Sequence, residues 1–167
     1  IFVGDTSVHE YPTSEQMAEI AISTARVVRL FGFEPKVAFV SHSTFGQPLT
    51  SRTKHIRNAV DLLKEKKVDF EFDGDMQPDV ALNSEYEELY PFSKIVGKAN
   101  ILIMPGQHSA AISYKMMKTL GDTKVIGPLL IGIGLPIEIA PLRSSTSDLI
   151  NLASIAAYSA DIIDYKK

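Results

Sequence analysis

A chain of 167 residues that is 45% hydrophobic and 22% charged has the composition of a globular domain with its own core, which excludes a disordered tail. Its net charge of -3 argues against nonspecific nucleic-acid binding, which needs a basic surface, and its lack of cysteine excludes disulfide and thiol chemistry. No apolar run approaches the roughly 20 residues of a membrane span, and the N-terminus has no basic stretch followed by a cleavage site, so the expectation is a cytoplasmic protein without a membrane partner.

The chain opens at Ile1, Phe2 and Val3 as though entering in the middle of a fold, and Ile1 to Gly4 reads as a short buried strand. Pro12-Thr13-Ser14-Glu15-Gln16 opens a helix, with Thr13 as N-cap and Gln16 reaching back to it. Apolar residues then recur at helical spacing from Met17 to Phe31, and Gly32 ends the run. Lys36 to Val40 is the continuous apolar segment of a strand buried on both faces. Ser51 to Lys66 reads as a helix with Ile56, Val60 and Leu63 on one face. Phe70 to Phe72 follows as a strand and Pro78 to Leu89 as a helix. Asn100 to Met104 is a predicted strand, Ser109 to Leu120 a helix, Leu129 to Ile133 a strand and Ser147 to Ile163 a final, alanine-rich helix. That helix is apolar on more than one face and is expected to be buried, in the core or against another subunit. Strands alternating with helices of this length imply parallel pairing, so the fold class is α/β.

Open parallel sheets bind ligands beyond the carboxyl ends of their strands. Four polar or glycine-rich segments are expected there: Ser41 to Gly46, Asp73 to Gln77, Pro105 to Ser109 and Gly132 to Gly134. Their hydroxyls and free N–H groups suit a phosphate or a carbonyl oxygen, although Ser, Asp and Gly at such positions are also ordinary turn formers. Asp73 and Asp75 read either as an acid/base pair or, preferably, as a solvated turn around Gly74. His9, His42, His55 and His108 have no metal-ligand spacing, so no metal site is expected. His42 and His108 fall at predicted strand ends, whereas His9 and His55 read as surface residues. Gly132-x-Gly134, followed by Pro136, lacks the rest of a dinucleotide fingerprint.

A collinear series of short motifs runs the length of the chain: Thr13 to Gln16 with Ala21-Ile22-Ser23, Phe31 to Ala38, Ser41 to Gly46, Asp73 to Asp79, Gly97 to Asn100, Ile112 to Lys115 and Ile126 to Leu130. In order and spacing the series resembles phosphate acetyltransferase and its phosphotransacetylase-like relatives. His42 with Phe45-Gly46, Met104-Pro105 and Ile112-Ser113-Tyr114 resemble the branch found at the C-terminus of bacterial malic enzymes. Active acetyltransferases of this family carry a Ser-Arg pair shortly before the last helix. With Asp148, Leu149, Ile150 and Asn151 in register, Pro141 and Leu142 stand in its place, while Arg143 comes one position late and Ser144-Ser145 follow. A proline and a leucine cannot orient a thioester carbonyl or stabilise its oxyanion.

The resemblance implies an isocitrate/isopropylmalate dehydrogenase-like, three-layer α/β/α fold with a mostly parallel sheet. It implies the second half of a domain, with residues 1–140 as a second subdomain and 141–167 as the helix returning to the first. It further implies a regulatory domain of malic enzyme that binds acetyl-CoA as effector and supports a homo-oligomer. NAD(P), malate and divalent metal would belong to upstream regions, leaving no cofactor in this segment. The ligand-binding set it points to is Ser41, Ser43, Thr44, Asp73, His108, Ser109, Arg143, Ser144, Ser145 and Asp148, with no catalytic residue, since the catalytic pattern is degenerate although Asp148 is retained. The competing readings are a catalytic phosphate acetyl- or butyryltransferase moving an acyl group between CoA and phosphate, and a purely structural role in holding an oligomer together.

Overall fold

The structure, a computed structural model, describes residues 1–121 and 124–162. Elements follow in the order β1 (Phe2–Gly4), α1 (Ser14–Leu30), β2 (Lys36–Val40), α2 (Ser51–Lys66), β3 (Glu71–Met76), α3 (Pro78–Leu82), a 3-10 turn (Ser84–Glu88), β4 (Ile101–Ile103), α4 (Gln107–Leu120) and α5 (Thr146–Ile162). The chain divides into two compact units, the first from Ile1 to Ser113 and the second from Tyr114 onward.

The first unit is a three-layer α/β/α arrangement around a parallel four-stranded sheet in the order β1-β4-β2-β3. The alternation of side chains along each strand builds both outer layers. Val37 and Phe39 of β2, with Ile101 and Ile103 of β4, bury one face against Met17, Ala21 and Val28 of α1 and Ile56 and Leu63 of α2. Ala38, Val40 and Leu102 point the other way, onto Ala81 of α3 and Ala110 of α4. Each fully buried Phe, Ile or Leu here contributes about 1.5–3 kcal/mol relative to exposure. Local signals fix the ends of α1: Thr13 accepts from the Gln16 N–H at 3.2 Å, the Gln16 side chain accepts from the Thr13 N–H at 2.8 Å, and Gly32 follows at φ 81°.

Several sequence expectations are corrected here. The predicted Pro78–Leu89 helix is a single turn, α3, followed by the 3-10 turn, because Asn83 is extended and caps the second piece by accepting from the Glu85 N–H at 3.1 Å. Asp73, Gly74 and Asp75 form no solvated turn but lie inside β3, with Asp73 8% and Asp75 0% exposed. Their partners supply what solvent would have: Asp73 accepts from the Gly74 and Lys94 N–H groups at 2.9 and 2.8 Å. His55 is no free surface residue, since its Nε2 lies 2.9 Å from the Pro12 carbonyl and its Nδ1 3.1 Å from Ser14 Oγ, joining α2 to the start of α1. α4 begins two residues earlier than expected, which places His108 and Ser109 in its first turn.

In the second unit, Leu129 to Ile133 forms no strand among the described residues. Gly127, Gly132 and Gly134 take φ values of 123°, 89° and 67°, which break the pleat, and Pro128 and Pro136 offer no N–H to a ladder. The final helix appears as α5, with Leu152 buried and Leu149 and Ile150 exposed. Ile163, expected at its end, lies outside the described residues. Among the described residues no helix is long and apolar enough to cross a membrane.

Candidate functional site

Because all four strands are parallel, their carboxyl ends gather on one edge of the first unit. The turn after β2, Ser41 to Gly46, is the most highly constrained segment on that edge. Ser43 Oγ donates to the Asp75 carboxylate, and the Gly46 N–H donates to its two oxygens at 3.1 and 3.3 Å. The Asp75 carbonyl accepts from the Phe45 N–H at 2.6 Å, and the Met76 carbonyl accepts from the Ser41 N–H at 2.9 Å. Gln77 closes the seam: its N–H donates to Thr44 Oγ1 at 3.2 Å and its side-chain amide to the His42 carbonyl at 2.8 Å. A buried carboxylate needs such donors to offset its desolvation. Asp75 is therefore the anchor of the turn, although the sequence reading did not include it among the ligand-binding residues. Its position one strand alternation beyond Asp73, just after a glycine, is the only local sign.

Three of the predicted residues sit in this turn. Ser41, Ser43 and Thr44 are 7%, 0% and 8% exposed, and their hydroxyls are engaged internally, Ser41 Oγ lying 3.3 Å from Ser43 Oγ. His42 is exposed and Phe45 half-buried, so these two side chains are what the turn presents outward. Asp73 is also buried, on the strand beneath.

The ends of β1 and β4 supply the rest of the edge. Asp5 follows β1 at φ 47° and accepts from the N–H groups of Ser7, Val8 and His9 and from His9 Nδ1, at 3.3, 2.8, 3.0 and 2.5 Å. Burial pushes its carboxyl up, but the Val8 N–H, the His9 ring and the other donors together hold it below the usual carboxylate range. In the sequence this loop shows only the lone histidine His9, with no motif that marks it. Gly106, after β4, admits the Glu10 carbonyl where a Cβ would stand 2.7 Å away. Beside it His108 is exposed, 3.9 Å from Glu10 and stacked on Tyr11, and Ser109 Oγ donates to the Gly106 carbonyl at 2.8 Å.

The remaining predicted residues belong to the second unit, around the start of α5. Ser145 and Asp148 form a capping box: the Ser145 N–H and hydroxyl donate to the Asp148 carboxylate at 2.9 and 2.8 Å, and the Asp148 N–H returns to Ser145 Oγ at 3.2 Å. The Ser145 N–H and then its hydroxyl, with smaller help from Lys118 and Lys124, hold the Asp148 carboxyl below its ordinary value. Ser144 donates through Oγ to the Pro141 carbonyl at 2.7 Å. Glu138 accepts from the Leu130 N–H at 2.9 Å, and burial raises its carboxyl. Among the described residues Arg143 forms no ion pair with Glu138 or Asp148.

A groove of about 430 Å³ lies elsewhere, at the amino ends of β2 and β3, lined by Lys36, Asp69, Phe70, Glu71 and Lys94 among others. Lys36 and Glu71 pair across it at 3.4 Å. It faces away from the strand ends that organise the polar turn. Among the described residues no group of three or more His, Asp or Glu side chains gathers into a potential metal site.

A family model described as phosphate acetyl/butaryl transferase matches residues 1–157. The chain is 49% identical to an NADP-dependent malic enzyme of Rhizobium meliloti, over 96% of its own length and 21% of that enzyme's. It is 35% identical to a phosphate acetyltransferase of Clostridium acetobutylicum, over 96% of its length and 49% of the relative's. Among solved structures, a phosphotransacetylase from Streptococcus pyogenes superposes with a TM-score of 0.89 at 32% identity, covering 96% of this chain and 49% of that one. EutD phosphotransacetylase from Staphylococcus aureus superposes with a TM-score of 0.87, also at 32% identity, covering 95% and 49%. The chain thus spans about half the length of the acetyltransferases it matches and about a fifth of the malic enzyme's.

Proposed function

This chain belongs to the phosphate acetyl/butaryl transferase family, and from that premise we propose that it is a regulatory, acyl-CoA-binding and oligomer-supporting module of a cytoplasmic, NAD(P)-dependent malic enzyme. Binding of acetyl-CoA to it lowers malate oxidation, which is carried out by other parts of the parent polypeptide. The ligand lies along the carboxyl edge of the sheet, by the Ser41–Gly46 turn, with His108 as a polar contact.

The observation that carries this reading is the segment before α5. Where active relatives resemble one another in a Ser-Arg pair, this chain has Pro141 and Leu142, the latter fully exposed, so neither offers a donor to a thioester carbonyl. The higher identity to a malic enzyme, 49% against 35% for an acetyltransferase, supports the same assignment.

The test is made on the parent polypeptide, following NAD(P)H formation from malate while acetyl-CoA is titrated. Saturable inhibition is expected, without acetyl phosphate forming from acetyl-CoA and phosphate. Acetyl phosphate formation at a rate typical of enzymes would replace this reading with the acyltransferase one. Neither inhibition nor calorimetric binding would leave a scaffold.

A further inference from the structure

Resting on that acyl-CoA reading, we propose that Arg57 and the ring cluster of Phe45, Tyr90 and Phe92 form a subsite for the phosphorylated adenosine end of the ligand. Phe45 and Phe92 meet edge-on with centroids 4.8 Å apart, and Tyr90 closes the cluster at 5.4 Å from Phe45 and 6.1 Å from Phe92. Phe92 remains 63% exposed, so the cluster is not a sealed core but leaves an open aromatic face. Phe45 occupies φ 50°, a conformation that a bulky side chain avoids. The buried Asp75 holds it there, through the bond from the Phe45 N–H to the Asp75 carbonyl and that of the next residue, Gly46, to the carboxylate. The backbone of the turn thereby fixes a ring that local preference would place elsewhere.

The cation comes from α2. A Cβ on Gly46 would stand 2.6 Å from Arg57 Nη1, so the missing side chain at position 46 is what lets the guanidinium lie against the turn. Arg57 is exposed, and among the described residues it makes no ion pair or hydrogen bond. Unpaired donors in a planar fork match phosphate oxygens, and an aromatic face matches a nucleobase. Both touch the same turn, whose serine hydroxyls are already occupied with Asp75 and one another, so Arg57 and not the serines receives the anion here. A free guanidinium against the turn that carries Phe45 also favours a phosphorylated occupant over a second copy of an apolar surface.

The test uses the parent polypeptide and calorimetry with three probes: acetyl-CoA, 3′-phospho-ADP (its nucleotide without the pantetheine arm) and acetyl-pantetheine. The nucleotide is expected to bind and to compete with acetyl-CoA. Arg57→Gln and Phe92→Ala should each weaken both by about tenfold, which corresponds to one lost charged hydrogen bond or one lost stacking contact. Neither substitution should alter acetyl-pantetheine affinity, and Arg57→Lys should lie between Arg57→Gln and the unaltered protein. Both sites are exposed, and an unchanged melting temperature certifies the fold. Unaltered acetyl-CoA affinity in both variants overturns the subsite while leaving the acyl-CoA reading intact. No acetyl-CoA binding to the unaltered protein removes both. A Phe92→Ala protein that dissociates into smaller oligomers with full nucleotide affinity would also overturn it, identifying a second copy as what covers the rings.

Discussion

Ser43 and Asp75, 32 residues apart in sequence, are joined by a hydrogen bond between two side chains that solvent does not reach. The bond closes the turn after β2 onto the last residues of β3, and the Gly46 N–H uses the same carboxylate. Replacing Asp75 with alanine strands a buried hydroxyl and a buried N–H together. The expected loss is about 2–3 kcal/mol, read as a lower urea midpoint with an unchanged m-value. A midpoint equal to that of the unaltered protein would show that the turn holds itself without the carboxylate.

Gly74 has no room for a side chain. Its φ is 152°, and a Cβ there would lie 2.7 Å from the Phe39 Cβ and 2.8 Å from the Phe39 carbonyl oxygen, which is backbone and cannot swing aside. Gly74→Ala is expected to cost about 3 kcal/mol or more, since overpacking adds to the conformational penalty. Gly132, with nothing within 4 Å of its Cβ position, is the control for left-handed backbone alone. Similar melting temperatures for Gly74→Ala and Gly132→Ala would refute the contact argument.

Asp5 sets a pH dependence. Its folded carboxyl lies below its ordinary value because the donors of Val8 and His9, with that of Ser7, outweigh the effect of burial. A depressed carboxylate adds stability above the unfolded value of about 3.9, and that contribution disappears as pH falls through the lower, folded value. Asp5→Asn, which keeps the shape and tolerates the left-handed φ, should therefore be less stable than the unaltered protein at pH 7. The two should converge in denaturation midpoint as pH drops below about 3.9. A gap of the same size at pH 7 and at low pH would assign the effect to shape instead of charge.

Among the described residues Arg143 forms no ion pair with Glu138 or Asp148, and it stands ahead of the capped start of α5. In the acyl-CoA reading its guanidinium holds a phosphate or carbonyl oxygen of the ligand, and Arg143→Ala should weaken acetyl-CoA binding by about 1.5–3 kcal/mol. Calorimetry on the parent polypeptide measures this directly. A change within about 0.5 kcal/mol, the usual effect of an unremarkable surface substitution, would remove Arg143 from the site.

What could be read along the chain was whatever depends on near neighbours. The capping box of Thr13 and Gln16, the helical spacing of Met17, Ala21 and Val28, and the unbroken apolar runs of β2 and β4 follow from contacts within a few residues, and the parallel α/β class follows from their alternation. The motif series named the family for the same reason, since order and spacing are properties of the chain. The exceptions come from non-local partners. Asp73 and Asp75 resembled a solvated turn because nothing nearby shows the Lys94 N–H or the Ser43 hydroxyl that lets β3 bury them. Leu129 to Ile133 resembled a strand because its apolar run outweighed the glycines and prolines that break its pleat. His55 looked like surface until Ser14 and Pro12 met it. Sequence determined which residues can build strands, helices and turns. Only the tertiary structure decided which buried polar group meets which, because each must find its partner across dozens of residues to offset the cost of leaving water.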